Sequence, residues 1–122
     1  MSAKQATVLL VDDDNGILEI ASAMLEECGV SVIEVSNPFA ALEIVRTNPN
    51  IDLLFTDIVM PGAMSGFRLA YEARQIRPDL AILYSSGYMA DAPDQGGVRH
   101  GRVLHKPWNF EKLQAEIRAA LC

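Results

Sequence analysis

The chain has 122 residues, half of them hydrophobic, and a formal net charge of −6 at pH 7. That is enough apolar material for one domain with its own core, while the acidic balance argues against nonspecific nucleic-acid binding, which needs a basic face. No stretch approaches the roughly 20 apolar residues of a membrane span, and Met1–Thr7 lacks the apolar core of a secretory signal.

Taken in order, Thr7–Val11 (TVLLV) is a continuous β-branched and aliphatic run, the pattern of a strand buried on both faces. It ends in Asp12, Asp13 and Asp14. The following segment carries Ile17, Leu18, Ile20, Ala21, Met24, Leu25 and Cys28 at helical spacing, which predicts one apolar stripe. Asp14 or Asn15 can cap its start, and Gly29 suits the left-handed stop. Cys28 on that stripe reads as a buried structural thiol. With Cys122 it makes no metal-binding spacing, and a reduced, cytoplasmic setting is expected.

Val30–Val35 predicts a second strand, and Asn37-Pro38 opens a helix that runs to about Thr47 before Pro49. Ile51–Thr56 predicts the third strand and delivers Asp57 to its end. Pro61 and Gly62 then break the chain, and Ser65 caps a helix carrying Phe67, Leu69, Ala70, Ala73 and Ile76 up to Pro78. Leu80–Tyr84 predicts a fourth strand ending in Ser85-Ser86-Gly87. The stretch Tyr88–Gly101, with Pro93, Gly96 and Gly97, leaves room for one short helix at most. Arg102–His105 predicts a short fifth strand ending at Lys106-Pro107. Asn109 caps a last helix with Phe110, Leu113, Ile117 and Leu121 on one face.

Alternating strands and helices with right-handed crossovers imply an α/β fold with helices on both faces of a parallel sheet. The expected topology is the flavodoxin-like, doubly wound, five-stranded order 2-1-3-4-5. That order gathers the carboxyl ends of strands 1, 3, 4 and 5, and with them Asp12, Asp13, Asp57, Ser85, Ser86 and Lys106. Converging carboxylates repel one another unless a cation sits among them. Oxygen donors of this kind suit Mg²⁺, which keeps several waters and accepts phosphate oxygens. A lysine and a hydroxyl at the same mouth complete what a phosphoryl group requires, and a carboxylate can be its nucleophile.

These residues carry a resemblance. The acid pair in VLLVDDD, the DIVMPG around Asp57, SSG after strand 4 and HKPW after strand 5 resemble the receiver domain of two-component response regulators, over essentially the whole chain. The resemblance implies that Asp57 is the phosphoacceptor. It implies that Asp12 and Asp13 bind Mg²⁺ (Mn²⁺ can substitute), Asp13 directly and Asp12 through water, with Asp57 and the Val59 backbone carbonyl as further ligands. Lys106 would pair with the phosphoryl group, and Pro107 follows it where the family often has a cis proline. Ser86, followed by the small Gly87, matches the hydroxyl that turns inward on phosphorylation; Ser85, one register away, is the alternative.

Other polar and aromatic residues have plainer readings. Asp14 is expected to cap the helix, His100 and His105 to be ordinary loop and strand-edge residues, and Met60 and Phe67 to pack. Three departures from the family pattern stand out: Val103 replaces the usual aromatic three residues before Lys106, the fourth helix region is eroded, and the loop from Pro61 to Gly66 is one residue longer than the commonest form, as in receivers attached to hybrid sensor kinases.

The expectation is a single receiver domain over residues 1–122 with no output domain, either stand-alone or cut from a hybrid kinase. It would act as a signalling switch in place of an enzyme. Its phosphoryl group would come from a sensor histidine kinase or a histidine phosphotransfer protein, and its output would be an unidentified downstream protein, with no direct nucleic acid and no membrane. A homodimer is compatible with the sequence. The rival reading, a phosphorylation-independent pseudo-receiver, draws on Val103 and the eroded fourth helix. A phosphohydrolase would need a cap domain that this length hardly allows. A flavin carrier would not place three carboxylates where phosphate-binding groups belong.

Overall fold

A computed structural model describes residues 5–60, 62, 64–87 and 101–121. Its strands are β1 (Thr7–Val11), β2 (Ser31–Val35), β3 (Leu53–Asp57), β4 (Ala81–Ser86) and β5 (Arg102–His105). They form one sheet in the order β2-β1-β3-β4-β5, every neighbouring pair parallel, as the alternation predicts. The helices are α1 (Asn15–Glu27), α2 (Pro38–Thr47), α3 (Gly66–Ile76) and α4 (Phe110–Leu121).

Side chains alternate across the strands and so build a core on each face. Leu9, Val11, Leu54, Ile82 and Tyr84 pack with Ala41 and Val45 of α2 and with Leu69, Ala70 and Ala73 of α3. Val8, Leu10, Leu53, Phe55, Leu83 and Leu104 pack with Leu18, Ala21 and Leu25 of α1 and with Leu113 and Ile117 of α4. Being covered on both sides explains why β1 and β3 read as unbroken apolar runs. Met60 and Phe67 are packing residues, the Phe67 ring meeting Tyr84 edge-on with centroids 4.9 Å apart.

Helix starts follow their capping residues. Asp14 accepts from the amides of Gly16 and Ile17, Asn37 from those of Phe39 and Ala40, Ser65 from that of Arg68, and Asn109 from that of Lys112. Gly29 ends the α1 segment at φ 92°, a conformation that favours glycine.

Several boundaries and burials differ from expectation. β2 starts one residue late, because Val30 precedes the first ladder pair, Thr7 with Ser31. β3 and β4 run later than Ile51–Thr56 and Leu80–Tyr84, because the ladder continues through the pair Asp57–Ser85 and reaches Ser86 opposite His105. Polar side chains there mark the site and not the end of the strand. Ile20 is 61% exposed, so it leaves the α1 stripe. Cys28 is only half-buried and is the C-cap residue of α1, not a member of its buried face. The short helix considered for Tyr88–Gly101 falls largely on residues 88–100, outside the described residues.

Candidate functional site

The carboxyl end of β1 separates three consecutive acids by backbone geometry. Asp12 is 3% exposed, and its Oδ1 accepts from the Asp14 amide at 2.9 Å. Asp13 faces solvent. Asp14 Oδ1 is committed to the start of α1, at 2.8 Å from the Gly16 nitrogen and 3.2 Å from that of Ile17. Asp14 is therefore the cap and not part of the cluster.

Asp57 closes β3 at 8% exposure. Its Oδ1 accepts from the Ile58 amide at 3.1 Å, and the same amide donates to the Ser85 carbonyl at 3.0 Å. Carboxylate oxygens of Asp12, Asp13 and Asp57 lie within 4.8 Å of one another, a spacing that can hold a metal ion. Lys106, just past β5, sends its Nζ to Asp12 Oδ2 at 3.1 Å and to Asp57 Oδ1 at 3.5 Å. The Lys106–Pro107 peptide is cis.

Burial pushes the Asp57 carboxyl up to about 6. Lys106 opposes that rise by charge and by hydrogen bonding, whereas the charges of Asp12 and Asp13 reinforce it. Desolvation wins because one partly exposed ammonium is shared between two carboxylates. A divalent cation would answer this imbalance. The donor set, carboxylate oxygens with solvent access through Asp13, fits a hard cation that retains water.

The serines of β4 face opposite sides of the sheet. Ser85 pairs with Asp57 across the ladder, and its Oγ accepts from the Trp108 indole nitrogen at 3.3 Å. Ser86 is buried, and its carbonyl accepts from the Lys106 amide at 2.8 Å. Alternation puts Ser86 on the face of Tyr84, whose ladder partner is Val103. Val59 is exposed in the loop after β3, and His105 is exposed at the end of β5. Pro61, Ala63 and His100 lie outside the described residues.

Three contributors were not legible in the sequence. The Trp108–Ser85 hydrogen bond joins residues 23 apart. The buried Thr56 hydroxyl donates to the Asp57 carbonyl at 2.9 Å. Gly66 passes so close to β3 that a Cβ would collide with the Asp57 carbonyl oxygen. Only Gly66 left a signal, a glycine directly after the Ser65 cap.

Fold and site together define a class. Residues 8–118 match the response regulator receiver domain family, and the chain belongs to it. Among its relatives, the response regulator receiver protein CpdR of Brucella abortus is 39% identical over 93% of this chain and 95% of its own length. The sensor kinase CckA of the same organism is 31% identical over 95% of this chain, which spans only 12% of that protein. A response regulator receiver protein from Sinorhizobium medicae has the same fold at TM-score 0.86 and 31% identity, covering 98% of this chain and 97% of its own. Among the described residues, no helix is long and apolar enough to cross a membrane.

Proposed function

We propose that this domain is a phosphoacceptor switch in which Asp57 takes a phosphoryl group from a phosphohistidine. The observation that carries the reading is the meeting of the Asp12, Asp13 and Asp57 oxygens within 4.8 Å, with Lys106 Nζ 3.5 Å from Asp57. Family membership supports it, since receiver domains pair with histidine kinases, and the similar segment of CckA belongs to a sensor kinase.

In the proposed step, an Asp57 oxygen forms the new bond to phosphorus as the histidine N–P bond breaks, and the imidazole leaves with that electron pair. The product is an acyl-phosphate on Asp57. Asp12, Asp13, Asp57 and the Val59 carbonyl would hold Mg²⁺, or Mn²⁺ in its place. When bound, the metal supplies positive charge against the phosphoryl oxygens. Lys106 would exchange its contact with Asp57 Oδ1 for a phosphoryl oxygen, keeping one ion pair throughout. Ser86 would supply the hydroxyl that turns toward the phosphoryl group. The small Gly87 that follows Ser86 supports this choice over Ser85, whose Oγ accepts from Trp108. Val103, paired with Tyr84, offers no ring to follow that hydroxyl, so output would rest on backbone and loop shifts.

Used in this way the domain is a signalling switch, active only in its own phosphoryl transfer and hydrolysis, in a cytoplasmic setting. Its donor would be a sensor histidine kinase or a histidine phosphotransfer protein, and its output a change in affinity for a downstream protein. Intact mass after incubation with acetyl phosphate and Mg²⁺ tests the reading. A phosphoryl adduct that requires Mg²⁺ and is lost in Asp57→Asn is the expected result. No adduct, together with no binding of a beryllofluoride analogue to the folded protein, would leave a phosphorylation-independent interaction module.

A further inference from the structure

Trp108 is the only tryptophan, and the phosphoryl chemistry outlined above gives it no part. It stands two residues after Lys106, beyond a cis peptide bond, in the turn that joins β5 to α4. Its ring lies 5.9 Å from that of Phe55, two residues before Asp57 on the same face of β3. Its indole N–H donates to Ser85 Oγ at 3.3 Å, and Ser85 is the ladder partner of Asp57. The carbonyl of Ser85 accepts from the Ile58 amide, which also donates to Asp57 Oδ1. The turn carrying the ammonium is thus tied sideways, across β4, to the strand end carrying the nucleophile.

Resting on the phosphoacceptor reading, we propose that Trp108 and Ser85 form a positioning pair. Their side-chain hydrogen bond holds the β5–α4 turn so that Lys106 Nζ reaches Asp57. Neither residue would touch the phosphoryl group. A long lysine side chain loses considerable freedom when held at one point, and a turn that can drift would hold it there a smaller fraction of the time. Ring packing alone fixes the distance between turn and sheet, because an aromatic pair tolerates sliding. A directional N–H to a buried hydroxyl fixes the register along the strand.

The test is the rate of adduct formation from acetyl phosphate at saturating Mg²⁺ for wild type, Trp108→Phe, Ser85→Ala and the double variant. Trp108→Phe keeps the ring against Phe55 and removes the donor; Ser85→Ala removes the acceptor. Each is expected to slow the reaction about three- to tenfold, the range of one hydrogen bond of ordinary strength. The double variant should be no slower than either single one. Ser85→Thr, which keeps a hydroxyl, should restore most of the rate. Mg²⁺ affinity should change less than about twofold in all of them, and in a Lys106→Ala background Trp108→Phe should have no further effect.

Wild-type rates in both single variants would overturn the inference, as would additive losses in the double variant or equal losses in the Lys106→Ala background. Because either partner reports the same bond, a variant that fails to fold leaves the other to decide. Absence of an adduct on the wild-type protein, together with no binding of a beryllofluoride analogue, overturns the phosphoacceptor reading along with this one, whereas an adduct with unaffected variants overturns this one alone.

Discussion

Asp57 is held at a cost, and that cost is measurable. Its carboxyl is raised from 3.8 to about 6, chiefly by burial. The folded state therefore binds this proton more tightly than the unfolded chain does. Its contribution to stability is present in full below 3.8 and is lost as pH climbs through about 6. Asp57→Asn should stabilise the metal-free protein by on the order of 2 kcal/mol at pH 7.5 and have almost no effect at pH 3. Urea denaturation in the presence of a chelator at those pH values checks both. Lys106→Met moves the other way. It leaves Asp12 and Asp57 facing each other without a cation, so at pH 7.5 stability should fall by roughly 1–3 kcal/mol, and the Asp57 carboxyl should titrate higher still. Carboxyl-carbon chemical shifts against pH would read that rise directly.

At the scale of elements, the site depends on how closely α3 begins to β3. The Gly66 amide donates to the Ile58 carbonyl at 2.7 Å, and a Cβ at Gly66 would strike the Asp57 carbonyl oxygen. Gly66→Ala cannot be accommodated by a rotamer change, because the obstructing atom is backbone. Thermal unfolding should report a loss of about 2–4 kcal/mol. The caps differ in kind: Asn37→Ala removes the acceptor for two exposed amides at the start of α2 and should cost about 1 kcal/mol, with no effect on adduct formation. A Gly66 variant that remains folded should lose both stability and phosphorylation, because the atoms it displaces belong to Asp57.

For the whole molecule, the site is where the doubly wound topology brings separate strand ends together, and metal binding should therefore stabilise the entire fold. At Mg²⁺ roughly tenfold over its dissociation constant, linkage adds about 1.4 kcal/mol, a few degrees in melting temperature for a chain of this size. The gain should shrink as pH falls below about 6, where protonated Asp57 no longer serves as a ligand. Differential scanning fluorimetry at pH 5 and pH 7.5, with and without Mg²⁺, checks the pair of effects. The Asp57→Asn protein should gain less from Mg²⁺ at pH 7.5 than the wild type does.

Much of this was legible in the linear chain because each piece depends on a local rule. The apolar runs at Val8–Val11 and Leu53–Phe55, the capping residues Asp14, Asn37, Ser65 and Asn109, and Gly29 need only near neighbours to act. Asp12, Asp13, Asp57 and Lys106 could be placed in one cleft from strand order alone, because parallel strands present their carboxyl ends on one side. Tertiary structure decided what depends on contact between distant residues. It decided that β3 and β4 extend through Asp57 and Ser86, that Ile20 leaves the core and Cys28 becomes a cap, and that Ser85 and Ser86 divide between opposite faces. It also set how far burial outweighs Lys106 at Asp57. Desolvation, ladder register and the approach of Gly66 to a carbonyl are properties of packed neighbours, and no residue type encodes its neighbours alone.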